Sequence, residues 1–193
     1  MNALFIIISS LLALISPLVY ARAIFSGNAK PHRTTRLVLL IISLLATLSL
    51  FVQKDTVAIY LAGISTLQSI LIFILSIQYG MGGWSKVDVF CLMVAIFGII
   101  LWQTTKNPSL ALYASILADF IGMIPALIKT YNFPKTEVWT FYALDVCAAL
   151  FSLFAIKSFT VFTVQQFAYP LYITCINFLM VVLIVRDRKI FKR

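Results

Sequence analysis

Seven long stretches of this chain carry at most one charged side chain each, and this constrains the fold more than any other feature. Residues 1–21, 37–53, 56–85, 89–105 and 158–185 contain no Asp, Glu, Lys or Arg. Residues 107–128 and 138–156 contain one each, Asp119 and Asp145. In lipid every backbone N–H and C=O must be satisfied internally, so an apolar stretch of about 20 residues crosses the hydrocarbon core as a helix. The predicted spans are 2–20, 37–53, 58–79, 88–105, 109–129, 138–157 and 167–185. The connections between them are too short for a folded soluble domain. Only 11% of the 193 residues are charged and 62% are hydrophobic, whereas a soluble domain carries about 25% charged residues. Soluble globular, disordered and coiled-coil classes are excluded. The expected fold class is an all-α integral membrane protein with seven transmembrane helices.

The few charges are lopsided. Lys and Arg number 15 against 6 Asp and Glu, a formal net charge of +9. In this setting the excess reads as topology rather than nucleic-acid binding, because cytoplasmic loops collect Lys and Arg. The first connection holds Arg22, Lys30, Arg33 and Arg36, with His32 among them, and the C-terminal tail holds Arg186, Arg188, Lys189, Lys192 and Arg193 against Asp187. An odd number of spans puts both clusters on one side, so the N-terminus is expected outside and the C-terminus in the cytoplasm. The expected location is a bacterial inner (plasma) membrane. Ala21-Arg22-Ala23 has the form of a leader cleavage site, but no basic residue precedes the apolar core and the core is long, so a retained first span is expected. Both clusters are expected to meet anionic headgroups. The three cysteines, Cys91, Cys147 and Cys175, sit in apolar surroundings with no metal or redox spacing, and His32 is the only histidine. No metal and no cofactor are expected.

Two segments read alike: Pro17 to Arg36, PLVYARAIFSGNAKPHRTTR, and Pro125 to Glu137, PALIKTYNFPKTE. Each has a proline late in a span, then a polar turn with a second proline and a threonine beyond it. They end spans one and five. Spans one to three and five to seven therefore read as two parallel three-helix repeats joined by a linker helix, a 3+1+3 plan in which the extra crossing restores the orientation of the second unit. The expected division is 1–85 for the first repeat, 86–107 for the linker helix, 108–186 for the second repeat and 187–193 for a basic tail.

Pro125-Ala126-Leu127-Ile128-Lys129-Thr130-Tyr131, followed by Pro134-Lys135-Thr136-Glu137, resembles the PQ-loop motif, and the chain resembles the PQ-loop, SWEET or MtN3-like, transporter superfamily. Ala126 and Leu18 stand where that family has glutamine, which marks a divergent member. The resemblance implies the 3+1+3 layout, an outside N-terminus and a carrier function. It implies proton coupling by a carboxylate in span five, for which Asp119 is the match. It also implies a substrate flanked by asparagines in spans three and seven. Asn177 matches the second; span three has no asparagine, and Gln68 lies at comparable depth.

Residue chemistry points to the same places. A carboxylate inside a membrane is costly and normally faces a cavity or a partner, which singles out Asp119 and Asp145. Asp145 is also a candidate to pair with a snorkelling Lys129 or Lys135. Pro170, Thr174 and Asn177 can share a face of span seven, and Ser65, Ser69 and Ser76 lie near Gln68. Candidate substrate-binding residues are Asn177, Gln68, Thr174 and Ser69. Asp119 and Asp145 are candidates for proton coupling, and Pro17, Pro125 and Pro170 for hinges, since proline removes a helical hydrogen bond. Ala114, Ala118, Gly122 and Ala126 form a small-residue row in span five that permits close helix approach, either inside the bundle or at a homo-oligomer face. Trp84, Trp102, Tyr131, Trp139 and Tyr142 are candidate interfacial anchors.

The expected function is a carrier for a small neutral or zwitterionic solute, sugar or amino acid, working as a facilitator or by proton coupling. No GxxxxGK motif is present, so the chain itself does not supply ATP-driven pumping. The alternative is a non-transporting multi-pass scaffold or partner subunit. An enzyme is not expected, because no convergent catalytic set surrounds either aspartate.

Overall fold

The computed structural model describes residues 2–29, 31, 33–80, 83–84, 86–156 and 164–190. Lys30, His32, Met81, Gly82 and Lys157 lie outside the described residues, as do the side chains of Pro125 and Lys129. The described residues form seven α-helices and no strand: α1 (Asn2–Phe25), α2 (Arg33–Val52), α3 (Ala58–Tyr79), α4 (Lys86–Thr105), α5 (Pro108–Asn132), α6 (Trp139–Ala155) and α7 (Val164–Ile190). A single 3-10 turn, Pro134–Thr136, precedes α6. Six of the helices are long and apolar enough to cross a membrane; α6, at 17 residues, is apolar but shorter. The chain is an all-α, multi-span membrane protein.

Each predicted span corresponds to one helix, but several helices outrun the charge-free stretch. α1 continues through Arg22 to Phe25, and α2 begins at Arg33. Absence of charge marks the hydrocarbon-facing part of a helix, not its end. At the ends arginines find partners: Arg33 Nε donates to the Ser76 carbonyl at 3.0 Å, and Arg36 Nη2 donates to the Tyr20 hydroxyl at 3.1 Å.

The true stops are local. Gly27 sits at φ +76° and takes the left-handed position that closes α1, with its N–H on the Ile24 carbonyl and the Asn28 N–H on the Ala23 carbonyl. α3 is capped by Asp55, whose Oδ1 accepts from the backbone N–H of Val57 at 2.8 Å and of Ile59 at 3.3 Å. Asn107 Oδ1 does the same for the Ser109 N–H at 3.0 Å, and Pro108 opens α5, where its missing N–H costs nothing.

Six helices close a ring in the order α1, α3, α2, α5, α7, α6 and back to α1. α4 lies outside it, packed on α2 and α5. Gly98 of α4 makes this seat possible: a Cβ there would overlap the Cβ of Ala114. Gly122 also faces α4 and α2, but a Cβ there would meet Cys91 and Leu39 at an ordinary 3.5 Å. Ala114, Ala118 and Gly122 of the small-residue row of α5 are thus packed inside the bundle, against α4 and α2.

Two apolar clusters fill opposite ends of the ring. One joins Tyr20, Ile24, Ile72, Phe141, Tyr142, Met180 and Ile184. They come from the late turns of α1, α3 and α7 and the first turn of α6. The other joins Ala13, Ala46, Leu50, Ala58, Leu61, Ala62, Leu112, Ala148, Ala149 and Tyr169. These come from the late turns of α2 and α6, the early turns of α3, α5 and α7, and the middle of α1. Successive helices therefore run in alternate directions.

Candidate functional site

Between these clusters lies a cavity of about 600 Å³. It reaches the end of the bundle that carries the α1–α2 connection, where Pro31 and Glu137, both outside the α-helices, line it. It stops in the opposite half at Ala13, Leu61 and Tyr169, members of the alanine-rich cluster. The end that the cavity reaches is the mouth side, and the end where it stops is the seal.

Five of the sequence-predicted residues meet on its wall: Gln68 and Ser69 of α3, Asp119 of α5, Asp145 of α6 and Asn177 of α7. All lie in the middle turns of their helices. Gln68 Nε2 donates to Asp145 Oδ2 at 3.2 Å, joining α3 to α6. Ser16 of α1 is a second hydrogen-bond partner of Asp145; Lys135 is exposed, and the Lys129 side chain lies outside the described residues. The Tyr172 hydroxyl donates to Asp119 Oδ2. Among the described residues neither aspartate forms an ion pair with Lys or Arg. Asn177 is 8% exposed, and its Nδ2 donates to the Ile173 carbonyl at 2.9 Å.

Thr174 lies off the wall. α7 turns Tyr169, Ile173, Ile176 and Asn177 toward the cavity, and Thr174 is about 100° round the helix from Ile173. Its hydroxyl donates to the Pro170 carbonyl at 2.8 Å. Pro17 and Pro170 are buried within α1 and α7. Residue 125 falls inside α5, with its side chain outside the described residues.

The mouth contains residues that composition alone assigns to topology or anchoring. Arg36, Asp88 and Glu137 all line it. The Arg36 guanidinium stands 5.2 Å from the centroid of the Tyr20 ring. Tyr142, expected as an interfacial anchor, is 4% exposed; its hydroxyl donates to Glu137 Oε2 at 3.1 Å, and its ring packs edge-on against Phe141. A buried phenol needs a partner, and Glu137, two residues before α6 begins, provides it. On α2, Arg36 stands three residues before Leu39 and seven before Ser43, and all three line the cavity. Tyr172 gave no signal in the sequence beyond standing in span seven.

Among the described residues no group of His, Cys, Asp and Glu could hold a metal ion. Cys91 is buried, and Cys147 and Cys175 are exposed on the outer faces of their helices. Comparison of the chain with protein-family models, with curated proteins and with solved structures returned no match.

Proposed function

We propose that the protein is a membrane carrier for a small neutral or zwitterionic solute, and not an enzyme. One observation carries this reading: a cavity of about 600 Å³ with polar groups at mid-helix, reaching one end of the bundle and sealed at the other. That volume lies within the range of small-molecule sites, about 300–1,000 Å³. A wall of amides, hydroxyls and carboxylates at mid-membrane depth is costly unless something uses it.

We read the architecture as two parallel units, α1–α3 and α5–α7, with α4 as the linker. The packing order supports it. Exchanging α1, α2 and α3 for α5, α6 and α7 maps the ring onto itself: α1–α3–α2 becomes α5–α7–α6, and the α2–α5 seam becomes the α6–α1 seam. This is the arrangement that the resemblance to PQ-loop carriers implies. Rocking of one unit on the other would open the seal and close the mouth. The mouth end carries Arg22, Arg33, Arg36, Lys135 and Arg186, so the basic-loop bias supports a cytoplasmic mouth. Ala114, Ala118 and Gly122 of α5 are consumed against α4 and α2, which leaves the scaffold reading without its best docking face.

Uptake by purified protein in liposomes tests the proposal. Saturable accumulation or exchange of one solute from a panel of sugars and amino acids is expected, and it should vanish in Asn177→Ala. Equal leakage of every solute, or none of any, would overturn it. An Asp119→Asn protein separates the two modes: uptake that loses its dependence on a proton gradient marks coupling, and unchanged uptake marks facilitation.

A further inference from the structure

Two opposite charges face each other across the mouth without meeting. Arg36 stands in the first turn of α2, Glu137 stands between the 3-10 turn and α6, and both line the cavity. In the ring order α1, α3, α2, α5, α7, α6, the helices α2 and α6 lie opposite each other. On the two-unit reading they also belong to different units. Among the described residues Arg36 is the only cation on the cavity wall. Each charge is held by a phenol. Arg36 Nη2 donates to the Tyr20 hydroxyl at 3.1 Å, and the Tyr142 hydroxyl donates to Glu137 Oε2 at 3.1 Å. The two phenols are the ends of one stack, with the Tyr20 and Phe141 centroids 4.7 Å apart and those of Phe141 and Tyr142 4.8 Å apart. Arg36 thus already leans from α2 past α3 to α1, and from there it feels the charge of Glu137.

A phenol is a neutral partner. A charge-assisted bond is about twice as strong, and a guanidinium meets a carboxylate with two parallel N–H donors. With Tyr20, Arg36 makes one hydrogen bond and a cation–π contact, and further N–H donors stay available to a carboxylate. Three other acids line the cavity. Asp119 also feels Arg36, but it lies on α5, the ring neighbour of α2, and already accepts from Tyr172. A bond there would tighten a seam that is already packed. Asp88 lies on α4, outside the ring, and accepts from Thr34 of the same helix as Arg36. Asp145 shares α6 but stands about two turns deeper than Glu137 and accepts from Gln68 and Ser16. A bond to Glu137 is the one that spans the opening at its rim.

On the carrier reading above, we infer that Arg36 and Glu137 form the bolt that closes the mouth. As one unit rocks on the other, the guanidinium passes from the Tyr20 hydroxyl to the Glu137 carboxylate. The tyrosines hold the two charges ready and apart while the mouth is open. The ion pair across the closed mouth then stabilises the state in which the far end is free to part.

The test is the distance across the mouth, measured by pulsed electron paramagnetic resonance on the full-length protein in liposomes. The three native cysteines are replaced by alanine, and spin labels are attached through Arg22→Cys and Asn132→Cys. Both positions are exposed, at the mouth ends of α1 and α5, which also lie opposite in the ring. A wide and a narrow population are expected in the parent. Glu137→Gln keeps an acceptor for Tyr142, and Arg36→Gln keeps a donor for Tyr20. Each should deplete the narrow population about tenfold, the scale of one charge-assisted hydrogen bond. Exchanging the charges, Arg36→Glu with Glu137→Arg, should restore it, because a phenol can donate or accept. Tyr20→Phe releases Arg36 while sparing the pair, and should enrich the narrow population about threefold. A packing role alone would move all these variants the same way. The inference is overturned if both neutral variants leave the narrow population unchanged or if the exchange fails to restore it. It is also overturned if the parent shows the wide population alone and Tyr20→Phe does not bring out the narrow one. These outcomes leave the carrier reading to the uptake assay. If the distances respond as expected and no solute is taken up, the bolt stands and the carrier reading falls.

Discussion

At the mouth, helices are held by rings and directed polar bonds: Arg36 to Tyr20, Tyr142 to Glu137, Arg33 to the Ser76 carbonyl, and Arg186 to the Tyr131 carbonyl at 2.9 Å with its guanidinium over the Tyr131 ring. At the seal, six alanines (Ala13, Ala46, Ala58, Ala62, Ala148 and Ala149) bring backbones together around Leu50, Leu61, Leu112 and Tyr169. Alanine has no rotamers to lose and no polar atom to satisfy, so its contacts at the seal rest on close approach and dispersion, beside a Thr47–Thr66 hydroxyl bond of 2.9 Å between α2 and α3. Parting the mouth breaks several hydrogen bonds made by charged side chains; parting the seal breaks mainly alanine and leucine contacts and the neutral Thr47–Thr66 bond. The two ends differ in kind as well as in which one is closed.

The largest contrast should appear in access. In a protein whose three cysteines are replaced by alanine, Ser69→Cys should react with a membrane-impermeant maleimide from the mouth side only. Ala62→Cys, with its site at 0% exposure, should be unreactive from either side. Labelling of Ala62→Cys from the far side would show that the seal is not one. Bulk should discriminate almost as sharply. Ala148→Phe forces a ring into a fully buried position and should cost about 3 kcal/mol in unfolding measurements. The same change at Ala126, which faces the cavity, should cost about 1 kcal/mol or less. If the two cost the same, packing at the two ends does not differ as described.

Smaller effects test the supports around each end. Gly98→Ala sets a methyl against Ala114 and should cost about 1–2 kcal/mol by loosening α4 from α5. Asp55→Ala removes the cap of α3 beside the seal and should cost about 1 kcal/mol. Arg186→Ala, at the exposed mouth-end pair with Tyr131, should cost about 0.5–1 kcal/mol, read as a small drop in midpoint temperature.

Most of the fold was legible because lipid leaves few options: the charge-free stretches mark all seven helices, and small residues mark where α5 is approached. The helix ends were less legible, because Arg33 looks like a loop charge until its bond to the Ser76 carbonyl is seen. The site was legible where a residue is chemically out of place, as Asp119, Asp145, Gln68 and Asn177 are in apolar helices. It was illegible where the residue type is common in its setting. Arg36 and Glu137 are ordinary for a membrane–water boundary, and Tyr142 for an aromatic belt; only the three-dimensional convergence of α2, α6 and the turn before α6 turns them inward. Tyr172 is tied to Asp119 by a contact between helices far apart in sequence, and no single-helix pattern carries that information.

The brevity of α6 has a consequence for the surrounding lipid. Its 17 residues rise about 25 Å, while a typical hydrocarbon layer is about 30 Å thick. Its outer face, with Phe154 67% exposed and Leu150 37% exposed, would draw the bilayer thinner along that one flank, at a fraction of a kcal/mol for each ångström of mismatch. Acyl-chain length then becomes a thermodynamic variable for this protein. Short-chain lipids relieve the mismatch, long-chain lipids load it onto the α1–α6 and α6–α7 seams, and the bilayer chosen for reconstitution sets how strained those seams are.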